Sequence, residues 1–265
     1  MKEQPQKTYS YLQCRGSDTV LTIIQKVAAE YMREYPGIRL PLLGGGTSRG
    51  YKCVLDKTTD IGLASSPMSQ DMQKWAKKQP VQINETLLGY DGLAAIVHPS
   101  NPLTNLSLNQ LHDVFTGKVT EWKTLGWDKG GAIHVYSQDP GRGGYEPWKR
   151  IVAGENNFIT LKATVINGSI IYKSVQEDPA AIGYVGVLTA NKMNSKILSV
   201  NGVAPTQESI HEGTYPIRRE LLLITAKGID NPEVDRFLAY CQHPEKGQAI
   251  VEKMGVVHAH SESKS

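Results

Sequence analysis

The sequence predicts an α/β protein with mainly parallel sheets. Short apolar runs of strand length alternate with amphipathic helical stretches. Turns rich in Gly, Ser and Thr sit where a strand hands over to a helix, the place where open α/β sheets bind ligands. One apolar run, Ile83 to His98, is too long for an ordinary strand and reads as a chain passing from one domain to another.

Taken in order, Tyr9 to Cys14 reads as a strand ending at Gly16-Ser17-Asp18-Thr19. Val20 to Tyr35 reads as a helix, because Val20, Ile23, Ile24, Val27, Ala28 and Tyr31 fall on one face and Pro36-Gly37 stops it. Ile38 to Leu43 is a second strand, ending at Gly44-Gly45-Gly46-Thr47-Ser48-Arg49-Gly50, and Tyr51 to Leu55 follows as a short helix. Ile61 to Ala64 is a strand running into Ser65-Ser66-Pro67, and Asp71 to Lys78 is an exposed helix. After the long run, Leu108 to Thr116 reads as a helix stopped by Gly117. Ile133 to Ser137 is a strand leading into a third Gly-rich turn, Gln138 to Tyr145, with a helix at Trp148 to Val152. A helix at Ile170 to Gln176, a strand at Ala181 to Val187 and an apolar strand at Ile217 to Thr225 follow. Val234 to Tyr240 and Gly247 to Lys253 close the chain as a helix pair. The long passage and the return at Tyr215-Pro216 predict two lobes, residues 1–90 with 216–265 and residues 91–215.

The first two turns suit an oxyanion. A helix N-terminus leaves N–H groups unpaired and carries partial positive charge. Glycine permits close approach of a ligand, and Ser and Thr add hydroxyl donors. An ordinary N-cap also accounts for Ser17, Asp18 or Thr19. Three glycines followed by Thr-Ser-Arg exceed what a cap needs. Neither turn matches the patterns of nucleotide-binding loops.

Composition narrows the function further. The net charge of +3 is spread along the chain, which argues against nucleic acid, a partner that wants a clustered basic face. No run of about 18 apolar residues predicts a membrane span. Met1 to Lys7 is polar and has no apolar signal region, so either the chain is cytosolic or a leader has been removed. Cys14, Cys53 and Cys241 form no C-x-x-C pair, and buried free thiols are expected. His98, His112, His134, His211 and His243 are scattered without ligand spacing, and no metal or cofactor is expected. No nucleophile elbow, zinc-protease motif or paired carboxylates point to an enzyme. Asp91, in the long run, is read either as a holder of backbone or Arg groups or as a buried structural acid.

From Gly16 to Val257 the order of these blocks resembles the periplasmic phosphate-binding proteins of ABC transporters. The carriers are Gly16 to Val20, Gly44 to Gly50, Asp60 to Met68, Tyr90-Asp91-Gly92, Leu108 to Gly117 with Trp122, the Asp139 turn, Ala181 to Gly186, Tyr215 to Arg219 and Pro244 to Val251. The resemblance implies a two-lobed periplasmic-binding-protein-like fold of type II, with an anion held in the cleft between the lobes. It implies phosphate or a similar oxyanion as ligand, a transporter permease as partner, a monomer, and a periplasmic or extracellular location after loss of a leader. The implied ligand-binding residues are Ser17, Asp18, Thr19, Val20, Thr47, Ser48, Ser65, Gln138, Asp139, Arg142, Gly143 and Gly144. Ser65 falls where the family carries Ser or an Asp that accepts the phosphate proton. The third turn departs from the family's Arg-x-x-Gly-Ser-Gly-Thr: Gln138 replaces its Arg, Arg142 its Ser and Gly144 its Thr. Either Arg142 brings a guanidinium to the anion from a new angle, or it faces solvent. The alternatives are a sensing module on the same scaffold, a binder of sulfate, molybdate, tungstate or a small phosphorylated solute, and an enzyme acting on a phosphorylated substrate.

Overall fold

The structure is a computed structural model that describes residues 10–140 and 143–258. The chain forms two compact units. Unit 1 holds the chain up to Gly89, Leu221–Met254 and His258, and unit 2 holds Tyr90–Glu220 with Gly255–Val257.

Unit 1 begins with β1 (Ser10–Tyr11), β2 (Cys14–Gly16) and α1 (Asp18–Glu34). The single strand predicted from Tyr9 to Cys14 is thus two short ones, with Tyr9 outside the described residues. The predicted strand from Ile38 to Leu43 divides likewise into β3 (Ile38–Arg39) and β4 (Leu42–Leu43). Pro41 lies in the gap: it lacks an N–H, though its carbonyl still accepts from the Cys14 N–H at 3.0 Å. Next come α2 (Thr47–Leu55), β5 (Ile61–Ala64), α3 (Gln70–Ala76) and the long strand β6 (Ile83–Val97), which continues into unit 2. β2 runs parallel to β4 and to β5, and pairs Gly16 with Leu63.

Unit 2 adds β7 (Asn105–Leu106), α4 (Leu108–Phe115), β8 (His134–Gln138), α5 (Tyr145–Trp148), β9 (Thr164–Ile166), α6 (Gly168–Glu177), β10 (Ala181–Gly186), α7 (Val187–Lys192), β11 (Lys196–Ile197), β12 (Ser199–Val200) and α8 (Gln207–His211). α5 runs into a wider π-helical turn at Lys149–Ala153. The strand order is β6-β10-β8-β9, with β11 also paired to β6. β10 is parallel to β8 and β8 to β9, whereas β10 is antiparallel to β6. β13 (Arg218–Ala226) then leads back to unit 1, where it lies antiparallel to β5. α9 (Pro232–Gln242) and α10 (Ala249–Lys253) follow, joined by a π-helical turn at Pro244–Gln248. The predicted α/β class with mainly parallel sheets is the observed one, and the long strands supply the antiparallel pairs.

Each unit has its own core. The predicted apolar face of α1 is buried, and Tyr31 meets Phe237 and Tyr240 of α9 edge-on at 5.0 Å. In unit 2, Trp148 stacks on Tyr184 at 4.3 Å and Phe115 meets Trp148 edge-on at 4.9 Å. Side chains of this size dominate core energetics. All three cysteines are free and buried, and burial pushes the thiols of Cys14 and Cys241 well above the usual range.

Candidate functional site

In unit 1 the ends of β2, β4 and β5 come together. Gly16 sits at φ +146°, and a Cβ there would lie 2.1 Å from the Leu63 carbonyl oxygen. A Cβ on Gly50 would lie 2.4 Å from the same oxygen. Only glycines let β2, β5 and the first turn of α2 approach this closely. The Gly46 N–H donates to the Gly16 carbonyl at 3.0 Å and the Ser17 N–H to the Leu63 carbonyl at 2.7 Å. These bonds bring the N-termini of α1 and α2 to one place.

Three hydroxyl residues are buried there: Ser17, Thr47 and Ser65. Thr47 Oγ1 lies 3.1 Å from Ser65 Oγ and accepts the Ser65 N–H at 3.1 Å. Ser17 caps α1, its hydroxyl accepting the Val20 N–H at 3.4 Å. The predicted anion donor at Val20 is therefore engaged by the cap. Asp18 ties the two turns together, since its carboxylate accepts the Gly45 N–H at 3.3 Å. Thr19 and Ser48 are half-buried in the first turns of α1 and α2. α2 has no side-chain cap on its N-terminus; the N-cap is Gly46. Two helix N-termini, one without a side-chain cap, beside buried hydroxyls form a donor-rich surface that favours negative charge.

The third turn belongs to unit 2. Gln138 is buried at the end of β8, and its N–H donates to the Tyr184 hydroxyl at 3.2 Å. Its side chain lies against the Cα atoms of Gly144 and Gly168, where an added Cβ would come within 2.5 and 2.8 Å of it. Asp139 is exposed, and Gly143 and Gly144 are buried. Arg142 lies outside the described residues. The Gly143 carbonyl accepts from Arg219 Nη1 at 2.9 Å, and Arg219 Nε donates to Asp91 Oδ2 at 2.9 Å. Both side chains of this ion pair are 3 % exposed. Asp91 thus does hold an Arg and is also a buried acid, so its two sequence readings describe one arrangement. Sequence reasoning assigned no role to Arg219 or Tyr184. Arg219 stood inside the Tyr215 to Arg219 block, but nothing in the local pattern pointed 76 residues back to Gly143.

Among the described residues no group of three or more His, Cys, Asp or Glu is placed to hold a metal ion. No described helix is long and apolar enough to cross a membrane.

A largely parallel α/β framework whose strand ends present helix N-termini and buried hydroxyls has the architecture that suits a small anion. The chain belongs to the PBP superfamily, whose domain model matches residues 2–245. It is similar to the phosphate-binding protein PstS of Borreliella burgdorferi, with 27% identity over 251 residues covering 91% of this chain and 87% of that protein. PstS of Staphylococcus saprophyticus is 26% identical over 220 residues, covering 79% and 68%. Among solved structures, a substrate-binding protein from Clostridium perfringens with bound phosphate superimposes with a TM-score of 0.83 at 28% identity, covering 95% of this chain and 100% of that one. An ABC-type phosphate transport receptor from Vibrio cholerae shares the fold with a TM-score of 0.81 at 22% identity, covering 93% and 99%.

Proposed function

We propose that this chain binds inorganic phosphate and delivers it to the permease of an ABC transporter, acting outside the cytoplasm as a monomer and not as an enzyme. The observation that carries the reading is the meeting of the α1 and α2 N-termini beside the buried hydroxyls of Ser17, Thr47 and Ser65. The likeness to PstS proteins and to the phosphate-bound Clostridium perfringens protein supports phosphate over other oxyanions. The contacts we assign in unit 1 are Thr19, Thr47, Ser48 and Ser65, with Ser17 and Asp18 shaping the turns. Those we assign in unit 2 are Gln138, Gly143, Gly144 and Arg142.

The test is a thermal-shift and calorimetry panel of phosphate, arsenate, sulfate, molybdate and tungstate. Phosphate at 100 times its dissociation constant is expected to stabilise the fold by about 2.7 kcal/mol. Stabilisation by sulfate or molybdate with none by phosphate would replace the ligand. Silence toward every anion would end the oxyanion reading.

A further inference from the structure

One carbonyl of the third turn, that of Gly143, is held by a side chain remote in sequence. Gly143 and Gly144 follow one another, and two successive glycines leave the backbone free to take many conformations. The turn nevertheless has a fixed buried point, the Gly143 carbonyl, held by Arg219 Nη1. The guanidinium is itself fixed on its other side, because Nε and Nη2 both donate to Asp91 Oδ2. Asp91 is fixed in turn by the Gly92 N–H, which donates to Oδ1 at 2.8 Å. Gly186 leaves the guanidinium little spare room, since a Cβ there would lie 3.2 Å from Nη2. The peptide plane transmits this restraint. The Gly143 carbonyl and the Gly144 N–H belong to one planar trans unit, so fixing the oxygen aims the N–H in the opposite direction.

We propose that Arg219, clamped by Asp91, is a positioning residue for oxyanion binding: it orients the Gly143–Gly144 peptide so that the Gly144 N–H serves as a donor to the anion. The proposal rests on the phosphate reading above. Arginine suits this task because its planar fork serves a carboxylate and a carbonyl at once, which a lysine ammonium on a flexible stem does not do in the same geometry.

The experiment compares the parent chain with Arg219→Lys and with the double substitution Asp91→Leu plus Arg219→Met. The double change removes both charges together, so neither is left buried alone. The Gly92 N–H and the Gly143 carbonyl lose these partners, so its melting temperature is expected to fall while the chain still folds cooperatively. Phosphate affinity by calorimetry is expected to fall about tenfold or more in both variants, as for loss of a well-placed anion donor. Hydrogen exchange at the Gly144 amide of the ligand-free chain is expected to quicken. Unchanged phosphate affinity in either folded variant overturns the proposal. Should the double variant fail to fold, Arg219→Lys alone decides. Should the parent itself ignore phosphate, the phosphate reading fails separately. Gly144 exchange then decides whether Arg219 orders the turn, and unchanged exchange overturns that as well.

Discussion

Replacing Thr47 by Val isolates the hydroxyl at the centre of the unit 1 site. The two side chains have nearly the same shape, so packing changes little, but the swap is not neutral because a hydroxyl is lost. Thr47 Oγ1 accepts the Ser65 N–H at 3.1 Å and lies 3.1 Å from Ser65 Oγ, and both residues are buried. Deleting one partner of a buried hydrogen bond costs about 1–3 kcal/mol. The ligand-free Thr47→Val chain should therefore lose about that much stability in urea titration, with the slope of the transition unchanged. Thr47→Ser keeps the oxygen and loses one methyl, so its loss should stay near that of a small-residue cavity, about 1 kcal/mol. Phosphate affinity should follow the hydroxyl: near parent in Thr47→Ser, and lower by about 1 kcal/mol or more in Thr47→Val. A Thr47→Val chain with parent stability and parent affinity would refute the reasoning. It would show that the hydroxyl contacts at Ser65 are incidental to both fold and site.

Gly50→Ala should destabilise unit 1 by about 1–3 kcal/mol, because the new Cβ would meet the Leu63 carbonyl at 2.4 Å and force α2 off β5; the urea midpoint reads this. Arg142→Ala should weaken phosphate binding by about 1.5–3 kcal/mol through loss of its guanidinium; calorimetry measures it, and an unchanged affinity would remove Arg142 from the contacts. Burial raises the thiols of Cys14 and Cys241 in the folded chain, so their contribution to stability is present below the unfolded thiol value of about 8.5 and is lost as pH rises above it. Denaturant titrations from pH 7 to 10 should show that decline, and a Cys14→Ala, Cys241→Ala chain should show a flatter one.

The strands and helices that set up the site were legible because their signals are local. The face of α1 repeats at helical spacing, and Pro36-Gly37 marks its end. Gly-rich turns marked the starts of α1 and α2 because the close approach of β2, β5 and α2 admits no Cβ at Gly16 or Gly50. Elements with weaker periodicity were missed. β9 carries only three residues, and α7 and α8 are six and five residues long, too short for an apolar repeat to emerge. The break between β3 and β4 was written in Pro41, but its carbonyl kept the pairing going, so the pattern read as one strand.

The third turn shows where a sequence reading of a site must stop. Its pattern made clear that Gln138 stands in place of the family's arginine, and it directed attention to Arg142, the nearest cation in the chain. Sequence distance is a poor guide to which charge serves a turn, because pairing in a sheet brings remote segments side by side, as β13 and β6 are here. The guanidinium that the structure does place on this turn is that of Arg219, on β13, and its partner Asp91 lies on β6. A buried arginine costs so much to desolvate that it must be paired and hydrogen-bonded wherever it goes. An arginine at the start of an apolar strand, with an aspartate in another apolar strand, therefore carries a pairing requirement that composition states and position does not resolve. Once the pair is formed, the guanidinium still has donors on Nη1, and the Gly143 carbonyl accepts one of them. The Gly143 carbonyl of the third turn is in this sense held by two residues that no turn motif contains.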